Sequence, residues 1–311
     1  MTSQNHHILI DAHAHLWLNQ EATVEGKRIR ALQNGRAEFM GEERQMMPPY
    51  MLDGRNTAEM FLANMDYAQV QAAVITQEYI DGDQSTYLQE VSKRYPNRFL
   101  CCGLIDARTP GYLARSEALM AQGFSALKLP SGRLRTPTLD IRLTTDEMMQ
   151  LFHRMEDADC LLSIDLADGT LQVGEMEEVI AECPRLRIAI GHFGMVTREG
   201  WQEQIKLARH EHVRIESGGI TWLFHDEFYP YPSAIKAIRE SIDLVGAEKL
   251  MWGSDYPRTM TAITYRMSYD FVLKSTQLTE TEKRLFLGEN AQAFYRFNHL
   301  PELPYIYNMV E

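Results

Sequence analysis

Two hydrophobic patterns alternate regularly along this chain and limit the folds that it can adopt. Short apolar runs typical of buried strands alternate with longer segments whose apolar residues recur with a helical period. About eight such strand–helix units predict a parallel sheet that closes into a barrel with helices outside. The predicted strands are residues 8–15, 71–76, 98–105, 124–129, 160–165, 186–191, 212–216 and 249–254, and the predicted helices are 57–68, 83–95, 110–122, 144–158, 173–183, 198–210, 233–246 and 259–275.

A single domain over residues 1–311 is expected, since barrels of about 250 residues or more are routinely one domain. The first strand is not followed by a glycine-rich phosphate loop, which argues against a dinucleotide-binding sheet. Two segments interrupt the repeat, a polar insertion at 17–56 and a glycine- and aromatic-rich stretch at 217–232. In a barrel both would lie at the carboxyl ends of the strands, either as lids over a site or as surfaces buried against another subunit.

The composition narrows the class of partner. The formal net charge of −12 argues against nucleic acid and anionic membrane surfaces, because both bind basic proteins. Neither a membrane-spanning apolar run nor a signal peptide is found in the sequence. The four cysteines, which form no C-x-x-C pair, are predicted to be buried reduced thiols. We therefore expect a cytoplasmic protein that acts on a small molecule, and homo-oligomer formation stays open.

Polar residues end most of the predicted strands. His13 and His15 end the first strand and share one face, because alternate residues of a strand point the same way. A charged side chain that closes an apolar strand is costly unless it is paired or binds a metal. Since the carboxyl ends of barrel strands meet at one face, these side chains are expected to converge. The other strand-end residues are Glu78, Lys128, Asp165, His192, Glu216 and Asp255.

Imidazole and carboxylate are common metal ligands, so His13, His15, His192 and Asp255 could together hold a divalent cation and a water. A structural hydrogen bond is the alternative for each residue taken alone.

Five motifs, in this order along the chain, resemble the amidohydrolase superfamily and in particular its amidohydrolase 2 branch. The resemblance runs from about residue 8 to residue 297 and implies a distorted (β/α)8 TIM barrel of the α/β class. The branch includes aminocarboxymuconate semialdehyde decarboxylase, and its relatives include lactonases for sugar lactones and pyrone dicarboxylate. The motifs are Ile-Asp-Ala-His-Ala-His at 10–15, Gly-Phe-Ser-Ala-Leu-Lys-Leu at 123–129, Ile-Gly-His-Phe-Gly at 190–194, Tyr-Pro-Tyr-Pro at 229–232 and Leu-Met-Trp-Gly-Ser-Asp-Tyr-Pro-Arg at 250–258.

The resemblance also implies a ligand set. Metal-dependent members bind the ion through both strand-one histidines, a strand-five histidine and the strand-eight aspartate, which assigns His13, His15 and Asp255 to the metal. The strand-six histidine, here His192, lies beside the ion and assists catalysis. Strand five of this chain offers Asp165 instead, either as a replacement ligand, since Zn²⁺ accepts carboxylate oxygen, or as a sign of a metal-free site. This difference favours a lactonase over a decarboxylase, because sugar-lactonase relatives tend to carry aspartate there.

These observations predict an enzyme that hydrolyses a small lactone or a related carboxylated substrate with a divalent ion, zinc in the first instance. Asp255 would take the proton of the attacking water and return it to the leaving oxygen, while His192 would polarise the carbonyl. The predicted substrate contacts are Lys128, Arg258 and Tyr229, of which the two cations would hold a carboxylate.

Three alternatives stay open. The same site would also suit decarboxylation of an aromatic or muconate-type acid. A barrel that binds a ligand without catalysis is a second alternative. In a metal-free enzyme, histidines 13, 15 and 192 would polarise the substrate as hydrogen-bond donors.

Overall fold

The computed structural model describes residues 7–307 and Met309, and a ring of short parallel strands forms its centre. Each predicted barrel strand is present with trimmed ends, and the third is divided in two at Cys102. In chain order the strands are β1 (Ile10–His15), β2 (Glu21–Val24), β3 (Lys27–Ala31), β4 (Arg36–Phe39), β5 (Glu42–Gln45), β6 (Ala72–Thr76), β7 (Phe99–Cys101), β8 (Gly103–Leu104), β9 (Ala126–Leu129), β10 (Arg135–Thr136), β11 (Leu139–Asp140), β12 (Leu161–Ile164), β13 (Ile188–Ile190), β14 (Val213–Glu216) and β15 (Leu250–Met251).

The barrel strands pair in parallel in two arcs, β1-β6-β7 and β8-β9-β12-β13-β14-β15. The residues after β15 lie beside β1 and close the ring through backbone hydrogen bonds. Ala12 donates to the Trp252 carbonyl and Asp255 donates to the His13 carbonyl, both at 2.8 Å. The predicted (β/α)8 barrel is confirmed. It is distorted because regular pairing of the last strand covers only two residues before the backbone becomes irregular.

Helices cover the outside of the ring because each has one apolar face. In α4, Met148, Leu151, Phe152 and Met155 are buried with a helical period, and two acids occupy the first turn, where the helix dipole favours them. No described helix is long and apolar enough to cross a membrane. The helices are α1 (Ala58–Tyr67), α2 (Ser85–Arg94), α3 (Tyr112–Ala121), α4 (Asp146–Asp157), α5 (Val173–Glu182), α6 (Trp201–Lys206), α7 (Ile220–Leu223), α8 (Pro232–Val245), α9 (Met267–Lys274), α10 (Glu280–Arg284) and α11 (Asn290–Tyr295).

The segment 17–56 is more ordered than a polar insertion implies. It contains the antiparallel sheet β2-β3-β4-β5. The first hairpin turns at Glu25-Gly26, where both residues have positive φ, as a two-residue turn between twisted strands requires. Its last strand leads into Met46 and Met47, which line a cavity at the carboxyl ends of the barrel strands. The prediction that this insertion reaches the carboxyl-terminal face is confirmed.

The amino-terminal half of the barrel is apolar. A buried cluster joins strand residues such as Ile10, Ala72 and Val74 to Phe294 and Tyr295 of α11. All four cysteines are free and buried, as predicted. Because this end of the barrel is filled with hydrocarbon, the polar side chains of the strands gather at the opposite end.

Candidate active site

A cavity of about 560 Å³ opens at the carboxyl ends of the strands, within the range of small-molecule sites. Strand ends form its floor, and both interrupting segments contribute walls, through Trp17 and Met47 on one side and Trp222 on the other. Of the residues predicted for the site, those that line the cavity are His15, Asp165, His192, Asp255 and Arg258. The fully buried His13 and Lys128 lie beneath the lining.

The two histidines of β1 are each held by a carboxylate. Nδ1 of His13 lies 2.6 Å from Oε1 of Glu216, and Nδ1 of His15 lies 2.8 Å from Oδ2 of Asp81. A carboxylate in this position accepts a hydrogen bond from Nδ1–H and leaves the Nε2 lone pair available to a metal. The two Nε2 atoms face each other at 3.1 Å.

Asp255 completes a triangle with these nitrogens. Its Oδ1 lies 3.2 Å from Nε2 of His15 and 3.8 Å from Nε2 of His13. In a tetrahedral zinc site with Zn–N bonds of about 2.05 Å, neighbouring ligand atoms lie about 3.4 Å apart. The observed separations match the edges of such a shell. The donor set of two nitrogens and one oxygen therefore fits a divalent ion.

The electrostatics of this cluster also favour a cation. Burial by itself lowers the pKa of His15, but the charges of Asp81 and Asp255 outweigh it and raise that pKa to about 10. Burial would raise the pKa of Asp255, yet its contacts with His15 and His192 hold that pKa below its usual range. At His13 burial prevails over Glu216 and lowers the pKa. We call His13, His15, Asp81, Glu216 and Asp255 the histidine half of the site.

The other half is built around a buried ion pair. Nζ of Lys128, fully buried, lies 2.5 Å from Oδ1 of Asp165. Burial would lower the pKa of Lys128, but Asp165 and Glu216 raise it, so the ammonium keeps its charge. Oδ2 of Asp165 is buried without a hydrogen-bond partner and lies 3.7 Å from Nε2 of His192. We call Lys128, Asp165 and His192 the lysine half.

Asp165 is therefore placed differently from the predicted fourth ligand beside His15. Among the described residues, two groups of three donors each have their ligand atoms within 4.8 Å of one another. One is His13, His15 and Asp255, and the other is His13, Asp165 and His192. Asp165 thus belongs to a group with His13, but not to the group that contains His15 and Asp255. One of its two oxygens is paired with Lys128.

His192 stands between the two halves. It follows β13 with a positive φ of 56°, and its Nδ1 lies 2.8 Å from the Gly218 carbonyl. A carbonyl can only accept, so Nδ1 carries a proton and Nε2 is the atom available to other groups. Burial would lower the pKa of His192, but Asp165 and Asp255 raise it.

The three predicted substrate contacts have separate positions. Arg258 lines the cavity with its guanidinium 4.7 Å from the Trp222 ring, and it has no carboxylate within ion-pair distance in the described chain. Lys128 is engaged below the cavity with Asp165. Tyr229 lies outside the cavity lining, with its hydroxyl 3.3 Å from Oδ2 of Asp270. Of these three residues, only Arg258 is placed to contact a ligand in the cavity.

Sequence reasoning missed several residues of the site. Asp81 follows β6 by five positions, too far to be recognised as a strand end, and Trp222 was one of several aromatics in the segment 217–232. Arg133 and Arg135 line the cavity as well. Glu216 had been noted only as a strand-end acid, with a structural hydrogen bond as the alternative. Charged and aromatic residues just after predicted strands are the signal that could have found them.

Known proteins share this sequence pattern and this fold. The model of a family described as amidohydrolase matches residues 10–297. An L-fucono-1,5-lactonase of Burkholderia ambifaria is 26% identical over 267 residues, which are 80% of this chain and 80% of the lactonase.

Solved structures give the same picture of the fold. An amidohydrolase from Burkholderia multivorans with bound zinc has a TM-score of 0.67 at 16% identity, covering 94% of this chain and 100% of that one. A probable 2-pyrone-4,6-dicarboxylic acid hydrolase from Acinetobacter baumannii has a TM-score of 0.64 at 18% identity, covering 93% of this chain and 99% of that one. At these identities the structures establish the shared barrel.

Proposed function

The chain belongs to the amidohydrolase family, and from that premise we propose that it hydrolyses a small lactone with a divalent ion, zinc, held by His13, His15 and Asp255. The observation that carries the proposal is the triangle of donor atoms, 3.1, 3.2 and 3.8 Å apart. The 26% identity to a sugar lactonase supports the choice of a lactone. A divalent ion held by these residues would supply a Lewis acid, which could polarise an ester carbonyl and lower the pKa of a bound water.

The residues of the histidine half have separate proposed roles in the reaction. Asp81 and Glu216 hold the imidazoles in the tautomer that exposes Nε2. Asp255 accepts a proton from the attacking water while the water oxygen forms a bond to the carbonyl carbon. When the ring C–O bond breaks, Asp255 gives that proton to the leaving oxygen, so the product is a hydroxy acid.

In its imidazolium form, in which Nε2 also carries a proton, His192 is the proposed donor to the carbonyl oxygen. Its Nδ1 is tied to the Gly218 carbonyl, which fixes the ring and leaves Nε2 for the substrate. A fixed donor aimed at the oxygen that gains negative charge lowers the barrier of acyl transfer.

The charges of the cavity favour a substrate with at most one carboxylate. Three arginines line it, but Arg133 lies 3.6 Å from Glu78, and Arg135 is paired with Asp140 and Glu175. Arg258 alone lacks a carboxylate partner among the described residues. A dicarboxylate would meet one free cation and several acids, so a polyhydroxylated lactone fits this cavity better.

We also propose that this activity resides in one domain and that the protein works in the cytoplasm. The family match runs from residue 10 to residue 297. The free, buried state of the four cysteines fits a reducing compartment.

Metal analysis combined with product analysis tests the proposal. Purified protein is expected to hold about one zinc per chain, and a panel of sugar lactones should release acid, measured with a pH indicator. Chelation should remove the activity and added Zn²⁺ should restore it. Activity retained in chelator by protein without metal would refute the metal role, whereas carbon dioxide release from aromatic acids would identify the decarboxylase alternative. No turnover on either panel would favour the binding barrel.

A further inference from the structure

The two oxygens of the Asp255 carboxylate have different partners. Oδ1 faces the Nε2 atoms of His13 and His15. Oδ2 accepts a hydrogen bond from Nε1 of Trp222 at 2.6 Å. The carboxylate is buried, and its backbone is fixed by the hydrogen bond that Asp255 donates to the His13 carbonyl. Its orientation is therefore set from the backbone at one end and from the indole at the other.

The chemistry of the indole makes it suitable for this position. An indole N–H donates one hydrogen bond and neither accepts a proton nor carries a charge. It can hold Oδ2 without competing for the ion or for the proton of the attacking water. The hydrogen bond to Oδ2 opposes an arrangement in which the carboxylate binds one ion through both oxygens. Oδ2 still has a second lone pair that can accept a proton.

The chain is shaped to bring the indole to this place. Trp222 lies in α7, immediately after β14, and its backbone N–H donates to the Gly219 carbonyl at 2.9 Å. Gly219 has a φ of +70°, and a Cβ built on it would lie 1.7 Å from Nε1 of Trp222. Any side chain at position 219 would displace the indole from Asp255, so the close approach depends on glycine.

The face of the same ring carries Arg258. The guanidinium lies 4.7 Å from the ring centre, a distance at which cation–π attraction acts. Arg258 lines the cavity beside Asp255. The Trp222 side chain thus contacts Asp255, the proposed proton acceptor, through its edge and the Arg258 guanidinium through its face.

We propose that Trp222 is a positioning residue, which holds Asp255 as a one-oxygen ligand through its N–H and fixes Arg258 against the cavity through its ring. This inference rests on the proposed function for its effect on turnover, but its structural part needs neither substrate nor metal.

The Trp222→Phe variant separates the two contacts, because it keeps an aromatic face and removes the N–H. Loss of a hydrogen bond to a charged group predicts a fall in kcat of roughly 10- to 100-fold. KM should stay within about twofold, since Arg258 keeps an aromatic ring beneath it. Arg258→Met should raise KM for an acidic lactone more than it lowers kcat, which is the opposite of the result expected for Trp222→Phe.

Two spectroscopic readouts work without substrate. In Co²⁺-loaded protein, Trp222→Phe should weaken the visible absorption, because an Asp255 released to bind through both oxygens raises the coordination number. In metal-free protein, the indole N–H signals of the four tryptophans can be resolved by ¹⁵N NMR, and the one lost in Trp222→Phe should move upfield in Asp255→Asn.

Trp252→Phe is the matched control. It also loses an indole donor, whose partner is the Ser268 carbonyl at 3.1 Å, but it should leave kcat and the Co²⁺ spectrum unchanged. An unmoved Trp222 signal in Asp255→Asn would overturn the proposal, and so would an unchanged Co²⁺ spectrum with unchanged kcat in Trp222→Phe. A moved signal in a protein that opens no lactone would support the contact and count against the proposed function alone.

Discussion

The two halves of the site neutralise buried carboxylates in different ways. In the lysine half the chain supplies its own cation, because Nζ of Lys128 lies 2.5 Å from Asp165. In the histidine half three carboxylates surround two imidazoles, and those imidazoles must be neutral to bind a metal. We propose that an ion from solution neutralises the negative charge of that half when both imidazoles are neutral. Lys128 and Asp165 thus form an ion pair within the chain, whereas the carboxylates of the histidine half are the reason that we propose an ion there.

Replacing the proposed proton acceptor should have the largest effect. Asp255→Asn keeps the shape of the side chain but cannot take a proton from water, so kcat for lactone opening should fall by roughly 10²- to 10⁴-fold. Initial rates on the best lactone of the panel measure it. Asp226→Asn, with a side chain 95% exposed in the segment 217–232, is the control and should keep full activity. A kcat for Asp255→Asn within tenfold of the wild-type value would show that a residue outside the histidine half accepts the proton.

The next effect tests the lysine half and concerns stability. Lys128→Met should lower the free energy of unfolding by about 3–5 kcal/mol, because it leaves the Asp165 carboxylate buried without its cation. Urea titrations measure the loss. The double variant Lys128→Met/Asp165→Asn should recover part of it, since no buried charge remains. A double variant as unstable as Lys128→Met would show that the lysine stabilises the fold by packing and not by charge.

A smaller effect is expected for the carboxylates behind the ligands. Asp81→Asn keeps a hydrogen-bond acceptor for Nδ1 of His15 but removes the charge that makes the ring a better ligand, so zinc affinity should fall by roughly 10- to 100-fold. Competition with a chromophoric chelator measures it. Asp83→Asn, at an exposed position two residues further on, should bind zinc as wild type does. Equal affinities for the two variants would remove Asp81 from the histidine half.

Much of the fold could be predicted from local sequence patterns. Alternating apolar runs located all eight barrel strands, because burial on both faces requires nearly continuous hydrophobic residues. Helix ends were less accurate. The predicted helix 259–275 begins only at Met267, after a short 3-10 turn at Arg258–Thr261, and the prediction for 198–210 covers α6 and a second short turn. Local patterns also did not reveal the sheet β2-β3-β4-β5.

The site was predicted in its donors but not in their arrangement. His13, His15 and Asp255 do converge at the carboxyl ends of their strands. Lys128, expected at a substrate carboxylate, is bound to Asp165 below the cavity, because a lysine inside the barrel needs a counter-charge within reach. Tyr229 contacts Asp270 and lies outside the cavity lining.

Local sequence patterns located the strand-end side chains of the site and the face of the barrel that they occupy. These patterns could do so because strand periodicity and the strand-end rule depend only on neighbouring residues. Which of these side chains contact each other depends on the tertiary structure. His13 meets Glu216 across 203 positions and His15 meets Asp81 across 66. These partners are brought together only by closure of the barrel and the loops above it, and they decide whether each imidazole, carboxylate or ammonium binds an ion, moves a proton or is neutralised within the chain.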